Sequence, residues 1–216
     1  MTAPRVNQTA LLIGMWVDEH PEGGLPPRAA HLPELFAAHG LTLVASHRTQ
    51  LDVARWLADP PAAIVLSGSA LNLGETCEMA DFPRVEALLD ALPMTPLLGI
   101  CFGHQYLAYR AGGRLGRLAQ RRETPDHPIS HGPHPLFAGL PDPVPLGENH
   151  AQVVTVLGRD QRVIATSVDG IEALEHTDRP WLGVQFHPEY YPRQAIPWGR
   201  TVLERWLRSH PRAPGS

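Results

Sequence analysis

The segment Leu98-Gly-Ile-Cys-Phe-Gly-His-Gln105 places a cysteine at the end of an apolar run, with a glycine two positions to either side. A buried strand followed at once by a helix puts Cys101 on a sharp corner, the nucleophile-elbow arrangement written with Cys in place of Ser. Small flanking residues suit the crowded backbone of such a corner. The helix N-terminus adds unpaired N–H groups and the positive end of a dipole, both of which favour an anionic nucleophile. The N–H of Phe102, which follows the nucleophile, faces the place where an oxyanion forms. A second segment, Leu182-Gly-Val-Gln-Phe-His-Pro-Glu189, ends an apolar strand in a His and a Glu two positions apart. Alternate residues of an extended chain point the same way, so His187 and Glu189 can act as a pair. A thiol nucleophile needs a base, and the base needs a group that orients it. Cys101, His187 and Glu189 are therefore the expected nucleophile, base and orienter. An inert core cysteine is the competing reading of Cys101 taken alone, since free Cys is often buried. Cys77 lacks the glycine flanks and reads as structural.

The elements that must position these residues alternate. Residues 10–17, 41–46, 62–68 and 96–100 read as short buried strands. Helices are expected near 28–39, closed by Gly40, and near 51–58 and 81–91, with another just after Cys101. Such β-α-β-α order implies an α/β fold with a doubly wound, mostly parallel sheet and helices on both faces. Sites in these sheets lie at the C-terminal ends of the strands, where Cys101 falls. The second half reads as a smaller antiparallel region, with strands at 113–122, 153–157, 163–167, 171–176 and 181–186. Asp169-Gly170 and Asp178-Arg-Pro180 supply turns. A closing helix is expected at 197–209, with Pro197 in its first turn, and a frayed tail at 211–216. No linker divides the chain, so a single domain over 1–216, with its core at 10–209, is expected.

Gly99-Ile-Cys-Phe-Gly-His-Gln105 and Gly183-Val-Gln-Phe-His-Pro-Glu189 resemble the two signature segments of class I glutamine amidotransferases, whose domain has a flavodoxin-like sheet. Their order and the 86 positions from Cys101 to His187 also match that family. Asp169-Gly-Ile-Glu172 resembles the region before the second signature, and the likeness runs from about residue 10 to 207. The resemblance implies a Cys-His-Glu triad of Cys101, His187 and Glu189, and contact of Gln105 with bound glutamine. It implies a second oxyanion amide from the turn Ser67-Gly-Ser-Ala70, where the family usually has Ser-Gly-Gly-Pro. Ser69 thus supplies the amide where Gly is common, which weakens the hole if only Gly accepts the required backbone. Glu148-Asn-His-Ala-Gln-Val153 resembles the family's second glutamine-contacting loop, with main-chain groups of Ala151 and Gln152 holding the amino-acid end. The same likeness, broadly to the amidotransferase parts of GMP synthetase and anthranilate synthase, implies a glutaminase subunit. It would hydrolyse the glutamine side-chain amide through a thioester and pass ammonia to a separate synthase, GMP-synthase-like first. A stand-alone hydrolase of γ-glutamyl amides and a non-catalytic, partner-binding relative are the alternatives. The first would use the same triad; the intact triad argues against the second.

Composition narrows the partners. The net charge of −4 leaves no basic footprint for nucleic acid. No apolar run is long enough to span a bilayer, and residues 1–9 lack a signal-peptide layout, so a cytoplasmic location is expected. Two cysteines do not make a disulfide scaffold. All 18 basic residues are Arg, which excludes a Walker-type phosphate loop and Schiff-base chemistry, both of which need Lys. No cofactor is expected. His127, His131 and His134 lie among prolines, but zinc ligands in such a loop usually include Cys or tighter spacing, so no metal is expected either. Arg121-Arg122 reads as a solvated turn, and His150 as either a hydrogen-bonded structural residue or part of the substrate loop.

Overall fold

The computed structural model describes residues 8–17, 25–193 and 195–209. Five strands pair in parallel: β1 (Thr9–Gly14), β2 (Thr42–His47), β3 (Ala63–Leu66), β4 (Leu97–Ile100) and β9 (Trp181–Val184). Alternate residues of these strands feed two separate cores. Ala10 and Leu12 of β1 face α1 (Leu32–Ala37) and α5 (Trp198–Arg208), whereas Leu11 and Ile13 face α2 (Val53–Ala58), α3 (Pro83–Ala91) and α4 (Phe102–Arg110). Because both faces are covered, both alternating sets must be apolar, and the strands read as continuous hydrophobic runs.

The remaining strands are antiparallel: β5 (Arg114–His131), β6 (Val144–Val156), β7 (Gln161–Thr166) and β8 (Ile171–His176). The sheet runs β2-β1-β3-β4-β9-β8-β6-β5-β7, and β7 also pairs with β8, closing a ring of four strands. The expectation of a mostly parallel sheet with a minor antiparallel annex is corrected here. The sheet is mixed, and its two longest strands, of 18 and 13 residues, are antiparallel.

Those two strands were under-read for a physical reason. Prolines at 125, 128 and 145 interrupt the strand pattern, yet the ladder absorbs them. The register shifts between Thr124 and His127, around Pro125, and Pro128 pairs opposite Pro145. Residues 121–122 therefore lie within β5, and the segment expected to be a loop at 148–153 lies within β6. The helix expected at 28–39 is also divided, into a 3-10 turn Pro27–Ala29 and α1. Pro33, near the start of α1, has no N–H to continue a preceding turn. Gly40, at φ 73°, ends that segment as expected. Pro197 is the N-cap of α5 rather than a residue inside it. The tail at 211–216 lies outside the described residues. No described helix is long and apolar enough to cross a membrane.

Candidate active site

Cys101 closes β4 and caps α4 with φ 52° and ψ −101°, a left-handed conformation adopted among described non-glycine residues only here and at Asp160. Such backbone costs of order 1–3 kcal/mol and persists only where its surroundings hold it. Here the Cys101 N–H donates to the Val184 carbonyl at 2.8 Å, tying the corner to β9. The first turn of α4 runs so close to β3 that a Cβ on Gly103 would meet the Leu66 carbonyl oxygen at 2.6 Å. Gly103 is thus a packing requirement.

His187 follows β9 on a segment held from two sides. The Gln185 N–H donates to the Glu172 carbonyl of β8 and the His187 N–H to the Gly147 carbonyl of β6, both at 2.7 Å. His187 Nδ1 lies 2.7 Å from Glu189 Oε1. A carboxylate accepts only, so Nδ1 carries the proton of that bond. The imidazole also hydrogen-bonds the Cys101 side chain. Burial works to lower the His187 pKa, but the charges of Glu189 and Cys101 outweigh it and hold the imidazolium well above the ordinary histidine range. The Tyr190 ring stacks on the imidazole at 4.3 Å and 8°. Cys101, His187 and Glu189 are 3%, 3% and 6% exposed, so their mutual charges act with little screening by water.

Of the oxyanion donors expected from sequence, Phe102 is the first residue of α4, where an N–H has no partner within the helix. Ser67 braces the other turn, its hydroxyl taking the Met15 N–H at 2.9 Å. Neither Ser69 nor Ala70 has a positive φ, so side chains there impose no backbone strain. Ser69 Oγ instead accepts the Leu71 N–H at 3.1 Å and tightens the turn. A Cβ on Gly68 would meet His187 Cε1 at 2.9 Å and Cys101 Cβ at 3.5 Å, which places this turn against both side chains.

Gln105 is buried, and its Nε2 donates to the Gln152 carbonyl at 2.7 Å and to Gln185 Oε1 at 3.1 Å. The Gln152 carbonyl also accepts from His150 Nδ1 at 3.0 Å. Two donors occupy both lone pairs of that oxygen, so the Gln152 carbonyl is engaged within the protein. Ala151 is half-buried on the same strand. The Asn149 carbonyl lies 3.8 Å from Cys101 Sγ. Gly68 and Asn149 lie in segments singled out from the sequence, but their own parts, a missing side chain and a main-chain carbonyl, leave no spacing signal, and neither does the stacked ring of Tyr190.

The prolyl-histidine loop does not assemble a cluster. His127 lies 3.6 Å from Asp169, His131 contacts the Gly132 and Pro141 carbonyls, and His134 lies 3.4 Å from Glu175. Arg122 makes two bonds to Asp169, at 2.6 and 2.7 Å, and so is a paired strand residue and not a solvated turn. A different trio gathers beside the site: Glu148, His150 and Glu172, all buried, with donor atoms within 4.8 Å of one another. Cys77 is buried in the core under α3, and burial pushes its thiol up to about 11, far from a nucleophile's range.

The family profile described as Glutamine amidotransferase class-I matches residues 35–207. The chain is 29% identical over 170 residues to anthranilate synthase component 2 of Halobacterium salinarum, covering 76% of this chain and 78% of that one. It is 36% identical over 148 residues to the glutamine-hydrolysing GMP synthase of Thermus thermophilus, covering 68% of this chain. It spans only 28% of that longer relative. A glutamine amidotransferase structure from Methylobacillus flagellatus superposes with a TM-score of 0.72 at 16% identity, covering 97% of this chain and 98% of that one. With a strand-to-helix cysteine facing a buried His-Glu pair on this fold, the chain belongs to the class I glutamine amidotransferase family.

Proposed function

We propose that the chain is a glutaminase subunit that hydrolyses the side-chain amide of glutamine and supplies ammonia to a separate synthase of the GMP-synthase type. One observation carries the reading: Cys101 is held on a strained corner in hydrogen-bonding contact with a His187 that Glu189 orients at 2.7 Å. The Cys101 sulfur attacks the amide carbon, and the N–H groups of Phe102 and Ser69 receive the oxyanion. His187 gives its proton to the leaving nitrogen as the C–N bond breaks, leaving a γ-glutamyl thioester and ammonia. A water that gives its proton to His187 then cleaves the thioester, releasing glutamate and restoring the thiol. Glu189 keeps the imidazole in the tautomer this exchange needs. The main chain of Ala151 and Gln152 forms the wall at the substrate's amino-acid end; Gln105, expected from the resemblance to contact glutamine itself, is assigned instead to buttress that wall through its bond to the Gln152 carbonyl.

The 36% identity to a glutamine-hydrolysing GMP synthase supports a GMP-type acceptor, and the longer match to anthranilate synthase component 2 supports an anthranilate-synthase-type partner as the second candidate. The purified chain, alone and mixed with a candidate synthase, is assayed for glutamate release from glutamine and from γ-glutamyl amines. Glutamine turnover stimulated by the synthase, and lost by at least about 10⁴-fold in Cys101→Ala with circular dichroism unchanged, is the expected result. Turnover of γ-glutamyl amines with glutamine ignored overturns the amidotransferase reading, and undiminished activity in Cys101→Ala overturns the nucleophile.

A further inference from the structure

Glu148 and His150 are alternate residues of β6, so their side chains share one side of the strand, where they meet Glu172 of β8. Glu148 and Glu172 are 1% and 0% exposed, and His150 3%. The Gln152 carbonyl fixes the His150 proton on Nδ1, which leaves Nε2 as an acceptor, 3.1 Å from Glu148 Oε2. Ser167 Oγ donates to Glu172 Oε1 at 2.6 Å. The remaining atoms, both oxygens of Glu148, Glu172 Oε2 and His150 Nε2, are buried acceptors with no protein donor between them. Buried polar groups left unpaired in this way cost about 1–3 kcal/mol each, so something must be held among them.

We propose that Glu148 and Glu172 share a bound proton, and that this proton-bridged pair, backed by His150 and Ser167, positions the segment carrying His187. The location supplies the reason. Backbone pairing joins β6 to β8 only at Val154 and Ile171, so farther along the two strands are joined by these side chains. Their carbonyls at Gly147 and Glu172 are the two anchors of residues 185–187. Losing the proton sets two carboxylates against each other, parts the anchors and moves His187 from Cys101. The electrostatics agree. Burial pushes Glu148 up to about 8, and burial together with Glu148 raises Glu172 well above the carboxylate range. The groups facing the pair are Arg122 of β5, His150 of β6, Ser167 and Asp169 of the β7–β8 turn and His187 itself, with His127 of β5 and His104 of α4 acting on His150. Arg122 is already matched to Asp169 and the His187 imidazolium to Glu189, so among the described residues no unmatched cation faces the pair to replace the proton.

The sign follows from linkage. The folded pair keeps protons that the unfolded carboxyls release near 4.5, so its stabilisation fades as pH rises from there to about 8. Glu172→Gln puts a permanent N–H donor where the proton sits. The full-length protein is melted, and its glutamine hydrolysis measured, from pH 6 to 8.5. Wild type is expected to lose roughly 4 °C of Tm and about tenfold in kcat/KM across that range. Glu172→Gln should lose less than about half as much of each. Glu148→Gln, the mirror substitution, should flatten the same curves and serves if the first variant folds poorly. The activity arm rests on the function proposed above; the melting arm does not, so the two can fail separately. Melting curves with the same pH slope in all three proteins overturn the shared proton. So does a stoichiometric metal in the purified protein that Glu172→Gln abolishes, since the trio is then a cation site.

Discussion

At the scale of single residues, the site is defined as much by what is missing as by what reacts. Gly68 has no side chain, and the space that a methyl would occupy holds His187 Cε1 at 2.9 Å. Gly68→Ala must therefore push the imidazole or retract the oxyanion turn. Displacements of about 1 Å at reacting groups cost up to about 10²-fold, so a fall in kcat/KM of roughly that size is expected. Steady-state glutamine hydrolysis checks it, with Tm measured alongside. A variant that keeps wild-type kcat/KM shows that the turn and the imidazole are not in register. The two cysteines differ in the same way: Cys101, at the end of β4, has His187 as its partner, while the Cys77 thiol is raised to about 11 by burial.

At the scale of elements, the antiparallel strands hold β6 where Asn149 meets Cys101. Arg122 of β5 grips Asp169 on the turn before β8 through two bonds, with Asp169 almost fully buried and Arg122 partly open to solvent. Because solvent screens the Arg122 side, the pair is worth about 1 kcal/mol and not the full value of a buried bidentate contact. Arg122→Ala is expected to lower Tm by roughly 2–4 °C at neutral pH. Arg122, against the opposing effect of burial, holds the Asp169 carboxyl below its ordinary 3.8. Its stabilisation is present above the unfolded value and lost as pH falls through the folded one. The Tm gap between variant and wild type should narrow as the pH drops below about 4. A gap that stays constant into acid means the contact is not electrostatic.

At the scale of the whole molecule, the chain's last helix closes the layer opposite α4. Trp206 of α5 is fully buried, 6.4 Å from the Phe36 ring of α1, in the core that also takes Ile100 and Cys101. Trp206→Ala leaves a cavity between two helices and the sheet, and should cost about 3–5 kcal/mol. Chemical denaturation checks this. At a temperature where the variant stays folded, kcat should change less than stability, because α5 abuts the Glu189 segment through Gly199, which packs on the Pro188 carbonyl, and Trp206 lies two turns farther along the helix. An equal collapse of kcat in the folded variant contradicts that division.

The Cys101 corner and the His187-Glu189 pair were legible in the chain because their spacing is local. Gly-x-Cys-x-Gly after an apolar strand and His-x-Glu at the end of another report geometry that adjacent residues impose. The parallel strands were legible for the same reason: burial on both faces writes an unbroken apolar run. The ring of β5 to β8 was only partly so. Its pairing is long-range, its prolines look like breaks until a bulge absorbs them, and one face carries Glu148, His150 and Glu172 where apolar residues are expected. Arg122 reads as a surface charge in sequence, and only the fold sets Asp169 beside it. Local pattern determined which residues could react; contacts across tens of residues decided what holds them together, because burial and pairing belong to no single segment.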